Sequence, residues 1–293
     1  MLRRVRKYIE TNIGEWVKNR PLLVGVSGGA DSIALADVLQ RAGYNCILAH
    51  CNFHLRGEES NRDEAFVKSY ATKQGLPLRT VSFDTKAYAA IEKISIELAA
   101  RQLRYQWFDQ VAKEENCAAI AVAHHQNDQA ETVLMNLRRG AGLKGLGGMR
   151  PVSENPVVDS DIVIIRPLLC TTKAYIRHYL KDIRHIEWVE DSTNTDTSIR
   201  RNAIRAEIAG YTEAEIEHIA HTAETMQGYA DLIANKHTRA AGICQLYEEL
   251  KPYGFSEIEK IYDAMQQNEG GKTWESATHR ATWQRHKLTI ETK

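Results

Sequence analysis

The stretch Ser27-Gly28-Gly29-Ala30-Asp31-Ser32 sets two glycines, two hydroxyls and a carboxylate side by side. Glycines let a backbone turn tightly and come close to a ligand. Successive N–H groups running into a helix N-terminus make a nest for an anion, and Ser27 and Ser32 could add hydroxyl donors. A carboxylate is out of place in an anion site unless a cation comes with it. Mg²⁺ bridging Asp31 and a pyrophosphate removes the conflict. The string is neither a Walker A loop nor GxGxxG. A plain glycine turn with an Asp cap is the alternative, and the placement of the whole string between a strand and a helix weighs against it.

Other residues could join this chemistry. Asp128 also sits where a strand passes into a helix, and two carboxylates beside a triphosphate suit Mg²⁺. Asp is equally a good helix cap, so the two roles are compatible. Glu131 lies one turn further on the same face and could hold an ammonium group, or be a solvated first-turn Glu. Arg101 and Arg104 share a helix face, as do Arg201 and Arg205, and arginine makes forked contacts with phosphate. A surface salt bridge is the competing role for Arg101 and Arg104, and a solvated basic face for Arg201 and Arg205. His124 and His125 follow an apolar run, and one of them should face a phosphate. His50 and Asn52 end the preceding strand run and are candidates for the nucleoside side of a pocket, against a satisfied core role for His50.

These residues need elements that bring them together. Apolar runs at 22–27, 46–52, 78–83 and 118–124 read as strands, and 31–42, 58–74, 95–116 and 128–139 as helices between or after them. Such alternation implies a Rossmann-like doubly wound parallel sheet with helices on both faces. Ligands then bind at the carboxyl ends of the strands. A further strand is expected in 162–169, ending at Pro167, with a Thr-capped helix over 172–182, a polar loop over 191–197 and an arginine-rich helix over 198–208. Beyond about 207 the β runs vanish: 213–234 and 256–267 read as amphipathic helices, 236–246 as irregular, and 273–290 as a hairpin. The expected division is an α/β domain over 1–206 and a smaller, mainly helical one over 207–293.

Composition bounds the rest. The 293 residues are 43% apolar and 26% charged, ordinary globular values that exclude collagen, disorder and a disulfide mini-protein. The longest apolar run, 117–123, cannot span a bilayer, and no secretory signal follows the basic N-terminus. Five widely spaced cysteines without a CxxC fit free thiols in a cytoplasmic protein. Lys plus Arg and Asp plus Glu are equal at 38. The balance is uneven along the chain, with net +4 over 1–26 and over 138–205, −3 over 27–137 and −5 over 206–293.

On these residues the chain resembles a known family. SGGADS after the first strand is similar to the pyrophosphatase loop (PP-loop) of N-type ATP pyrophosphatases, which cleave ATP between the α and β phosphates and adenylate a substrate oxygen. Four further stretches resemble the tRNA(Ile)-lysidine synthetases: 51–60 (CNFHLRGEES), 97–105 (ELAARQLRY), 124–132 (HHQNDQAET) leading into 138–146, and 191–194 (DSTN) followed by 200–205 (RRNAIR). The ordered matches cover roughly 1–208. The resemblance implies a carbon–nitrogen ligase that adenylates carbon 2 of the first-anticodon-position cytidine of tRNA(Ile) with a CAU anticodon. Free L-lysine then displaces AMP to give lysidine, switching decoding from AUG to AUA. It implies ATP and Mg²⁺ as cofactors and no membrane; a homodimer is allowed for. It further implies Asp31, Arg104, Asp128 and Arg205 as catalytic, Asp31 and Asp128 as metal ligands, and Ser27, Gly28, Gly29, Ala30, Asp31, Ser32, His50, Asn52 and His124 around ATP. Glu131 would bind lysine, and Arg138, Arg139, Lys144, Arg201 and Arg205 the tRNA. A tRNA cytidine thiolase of the same superfamily and a non-catalytic nucleotide-binding module are the competing readings.

Overall fold

We describe a computed structural model of the chain, covering residues 1–190, 199–267 and 270–293. Two compact units emerge, Met1–Gln227 and Gly228–Lys293.

The first unit is built on a sheet of strands β1 (Leu22–Gly25), β2 (Cys46–Asn52), β3 (Leu78–Ser82), β4 (Ala119–Ala121), β5 (Val152–Ser153) and β6 (Val163–Ile165). Among the described residues their order is β3-β2-β1-β4-β6-β5, parallel except for β5 at the edge. The helices of this unit begin with α1 (Leu2–Asn12), α2 (Ala30–Arg41), α3 (Glu58–Gln74), α4 (Thr85–Glu92) and α5 (Ile96–Glu114). They continue with α6 (Gln126–Arg138), α7 (Leu143–Leu146), α8 (Lys173–His178) and α9 (Ile199–Ile208). The expected doubly wound α/β fold is what the chain adopts.

Alternation along the strands sends side chains to opposite faces. Leu22, Val24, Cys46, Leu48, Ala119 and Ala121 pack on one face with Val5 and Ile9 of α1, Leu35 and Leu39 of α2, and Val67 of α3. Leu23, Ile47, Ala49, Ile120 and Ile164 pack on the other with Tyr105, Phe108 and Val111 of α5. Because both faces are covered, the strand sequences read as continuous apolar runs. Gly25 closes β1 beneath α5, and a Cβ there would lie 2.8 Å from the Phe108 ring.

Several elements differ from the sequence reading. The strand expected to end at Pro167 covers Val163–Ile165; Pro167 has no N–H for the ladder and opens a 3₁₀ turn at Pro167–Cys170. The helix expected over 172–182 is α-helical to His178 and then widens to a π turn, Tyr179–Arg184; its Thr172 cap does accept from the Tyr175 backbone N–H at 3.2 Å. The segment 236–246 is not irregular but lies within α10 (Glu213–Leu250), in which the division between the two units falls. Gly242 lies in this segment, and a Cβ there would sit 2.5 Å from the Tyr262 ring, so its small size serves packing. In the second unit, Leu246, Leu250 and Phe255 pack with Ile258 and Ile261 of α11 (Ile258–Gln266). The expected hairpin is a three-stranded antiparallel meander of β7 (Lys272–Glu275), β8 (His279–Gln284) and β9 (Lys287–Thr292). No helix among the described residues is long and apolar enough to cross a membrane.

Candidate active site

The chain leaves β1 at Gly25 and enters α2 at Ala30, so residues 26–29 form the turn at the carboxyl end of the sheet. Gly28 has φ +95°, a conformation that favours glycine, which explains its place in the string. The two serines are bound up in shaping this turn. The Ser27 N–H donates to Ser32 Oγ at 3.1 Å, Ser32 Oγ donates to the Gly29 carbonyl at 2.9 Å, and the Gly29 N–H donates to Ser27 Oγ at 3.3 Å. Ser32 thus organises the loop internally, and the backbone supplies the anion nest.

Asp31 in the first turn of α2 and Asp128 in the first turn of α6 both lean on His125, which is 4% exposed. His125 Nε2 is 3.5 Å from Asp31 Oδ2, and its Nδ1 is 3.4 Å from Asp128 Oδ2. Asp128 Oδ2 also accepts the His125 backbone N–H at 2.9 Å, so it caps α6 while facing the site. Burial pulls the His125 imidazole down, but the Asp128 and Asp31 carboxylates outweigh it and hold it above the ordinary histidine value. Burial pushes the Asp31 carboxyl up, and the hydrogen bond and charge of His125, with Lys173 and Arg177 behind, leave it below the ordinary range.

Asp31 Oδ1 is buried and has no hydrogen-bond partner. An orphaned carboxylate oxygen beside a second carboxylate fits a hard divalent cation, with phosphate oxygens and water completing the shell. Among the described residues no group of three or more His, Cys, Asp or Glu side chains could hold a metal alone.

Two further histidines flank this centre. His50, 4% exposed, donates from Nδ1 to the Val26 carbonyl at 2.9 Å, which leaves a buried, unpartnered Nε2 lone pair. Burial lowers its pKa. His124 is pulled down to about 4, first by burial and then by the charges of Arg166, His125 and Arg101 against that of Asp128. Arg166, which sequence reasoning passed over, donates from Nε to His124 Nδ1 at 3.3 Å. Asn52 is spent on its own loop, donating to Glu64 at 2.8 Å and accepting from the His54 N–H at 3.0 Å. That loop gathers the 51–60 stretch over α3.

The basic residues divide into stacked, paired and open ones. Arg104 lies 5.2 Å from the Phe53 ring centroid and Arg101 4.9 Å from that of Tyr105, both stacked and, among the described residues, without a carboxylate partner. Arg205 pairs with Glu131 at 3.2 Å, and Glu131 is 8% exposed. Arg138 pairs with Glu207, whereas Arg139 and Lys144 are exposed. The 191–194 stretch and the Arg201 side chain lie outside the described residues. Three residues with no conspicuous motif also belong here. Gln129, 3% exposed, donates to the Met149 carbonyl at 3.1 Å and accepts its N–H at 2.7 Å, tying the glycine-rich loop to α6. Lys173 and Arg177 line a cavity of about 300 Å³ with Asn127, Thr172 and Tyr211. A glutamine following Asp128 and an i,i+4 cation pair were the available signals.

Known proteins resemble the chain over nearly its whole length. Residues 1–211 match the PP-loop domain family and residues 242–293 match the TilS substrate binding domain. The chain is 39% identical over 317 aligned residues to the tRNA(Ile)-lysidine synthase of Parabacteroides distasonis, covering 99% of this chain and 70% of that protein. It is 40% identical over 314 to that of Bacteroides thetaiotaomicron, covering 99% and 71%. Among solved structures, the U34-tRNA thiolase NcsA from Methanococcus maripaludis, described with its 4Fe-4S cluster, superposes with a TM-score of 0.61 at 18% identity over 80% of each chain. That likeness concerns the fold alone.

Proposed function

This chain belongs to the tRNA(Ile)-lysidine synthase family, carbon–nitrogen ligases built on an ATP-using PP-loop domain, and from that membership we propose the full reaction and the residues that carry it. The carrying observation is the convergence of Asp31 and Asp128 on His125 beside the 26–29 turn. The substrates are ATP, tRNA(Ile) with a CAU anticodon and free L-lysine, which meet in the cytoplasm. Residues 1–206 supply the ATP chemistry, and 207–293 the mainly helical remainder.

In this reading the N–H groups of Gly28 and of the first turn of α2, residues 30–32, cradle the β and γ phosphates. Asp31 and Asp128 would hold Mg²⁺, which neutralises charge on the departing pyrophosphate. Lys173 and Arg177, whose charge already reaches Asp31, meet that pyrophosphate from the other side. The unpartnered His50 Nε2 accepts from the nucleoside. The cytidine O2 attacks the α-phosphorus and the α–β bridge breaks, releasing pyrophosphate. Arg104, stacked on Phe53 and without an ion pair among the described residues, stabilises charge on the α-phosphate. The neutral ε-amine of lysine then attacks carbon 2, and AMP leaves carrying the former O2. Free lysine has a pKa of about 10.4, so the amine must lose its proton on the enzyme. Glu131 holds the incoming ammonium once Arg205 turns from it toward the α-phosphate. Arg138, Arg139, Lys144, Arg201 and Arg205 contact the tRNA backbone.

The test is ATP–pyrophosphate exchange together with incorporation of labelled lysine. Exchange should require tRNA(Ile) bearing cytidine at the first anticodon position, and lysine should become tRNA-bound. Sulfur incorporation, or ATP binding without turnover, would replace this reading by the thiolase or the non-catalytic one. The thiols argue against sulfur transfer: burial pushes Cys46, Cys51 and Cys170 each up to about 12, away from a reactive thiolate.

A further inference from the structure

Arg166 is 8% exposed, yet among the described residues no carboxylate lies within ion-pair distance of it. Its Nη1 donates to the Arg150 carbonyl and to Ser153 Oγ, each at 2.9 Å, and its Nε to His124 Nδ1 at 3.3 Å. All three acceptors are neutral. A buried cation without a counter-charge is costly, and such a group is tolerated where an anion completes it. The placement follows from the sheet. β4 and β6 are paired neighbours with Ala121 opposite Ile165, so the residues that follow them, His124 and Arg166, emerge together at the carboxyl edge.

The chemistry of the contact fixes a proton. A guanidinium can only donate, and it keeps its charge in proteins. His124 Nδ1 must therefore present a lone pair, and the proton of the neutral ring must sit on Nε2. His50 shows the opposite arrangement, donating from Nδ1 to a carbonyl and keeping its lone pair on Nε2. The two strand ends thus offer one acceptor and one donor toward the same edge.

We propose that Arg166 is a positioning residue for adenylation: it locks His124 in the Nε2–H form, so that the ring donates to a phosphate oxygen of ATP, and it completes its own charge balance when that phosphate binds. Burial and the Arg166 charge both oppose protonation of His124, in keeping with a neutral donor. The proposal rests on the ATP-cleaving reading given above and extends it to a residue that acts through His124.

The test uses the full chain labelled with ¹⁵N-histidine and two-bond ¹H–¹⁵N correlation spectra, the His124 signals being assigned by their loss in His124→Asn. At neutral pH the wild-type ring should show the Nε2–H pattern. In Arg166→Met the pattern should be lost, and tRNA-dependent ATP–pyrophosphate exchange should fall about 10- to 100-fold in kcat, as for other partners that orient a functional histidine, with KM for ATP altered by less than about threefold. Arg166→Lys, which still donates, should restore part of both. A wild-type Nδ1–H or imidazolium signal overturns the proposal, and it does so even if every Arg166 variant fails to fold. Retention of tautomer and exchange rate in Arg166→Met overturns it as well. Absence of exchange in the wild-type enzyme with any tRNA would instead remove the parent reading, while the tautomer result still decides the role of Arg166.

Discussion

Asp128 does two things with one carboxylate, and they can be separated. Its Oδ2 caps α6 by accepting the His125 N–H, and in the proposed reaction its charge would help hold Mg²⁺. Asparagine keeps an acceptor oxygen but loses the charge. Asp128→Asn should therefore leave circular dichroism and Tm near wild type and lower pyrophosphate exchange by at least about 100-fold, the scale of losing one preorganised charge-stabilising group. A variant with wild-type exchange would take Asp128 out of the mechanism. His125 yields a pH prediction with a definite sign. Its pKa in the folded chain is raised, so its contribution to stability is complete below the unfolded value of about 6.5 and is lost as pH rises through the folded value. With divalent cations chelated, wild-type Tm should fall more steeply above pH 6.5 than that of His125→Gln, and parallel curves would contradict the coupling. At this scale the sequence showed the carboxylates and arginines, because their types and spacing are visible. It could not show Arg166 or Gln129. Their meaning comes from partners 42 and 20 residues away in the chain, His124 and Met149, which only the sheet brings near.

At the scale of elements, β1 and α2 hold the phosphate turn, and their fit depends on α5 lying close. Gly25 has an ordinary φ but no room, since a Cβ would meet Phe108 at 2.8 Å. Phe108 is itself 4% exposed and packed among Leu23, Ile120 and Ile164. Gly25→Ala should therefore destabilise by about 1–3 kcal/mol, read by denaturant unfolding, with exchange reduced because the strain lies two residues from Ser27. An unchanged midpoint would show that α5 gives way freely. The parallel core was legible in sequence because strands buried on both faces are apolar runs of unmistakable kind, as in 46–52. Short or covered features were not. β5 is only two residues long, and 236–246, read as irregular, lies inside α10. In both cases the deciding partners are distant in the chain, and local pattern does not show them.

At the scale of the molecule, the net charge of zero conceals segments of opposite sign, and the structure revises what those segments mean. The +4 of residues 138–205 overstates the charge offered to an RNA backbone. Arg184 is held by Asp37 at 3.0 Å, Arg205 by Glu131, Arg138 by Glu207 and Arg177 by Glu190, while Arg166 is buried. Arg139 and Lys144 are exposed, make no ion pair among the described residues, and flank the loop that Gln129 ties to α6. They are the cations best placed to release counterions when tRNA binds. Each phosphate contact contributes roughly 0.7–0.9 to the slope of log K against log salt. Changing both residues to serine should weaken tRNA affinity at low salt and make that slope shallower by about 1–2, while ATP affinity measured without tRNA stays unchanged. The comparison needs binding isotherms for both proteins across a salt series, because a single condition cannot separate lost charge from lost shape. Two parallel lines would mean that these cations do not meet phosphate, and that the tRNA backbone is held by basic residues elsewhere in the chain.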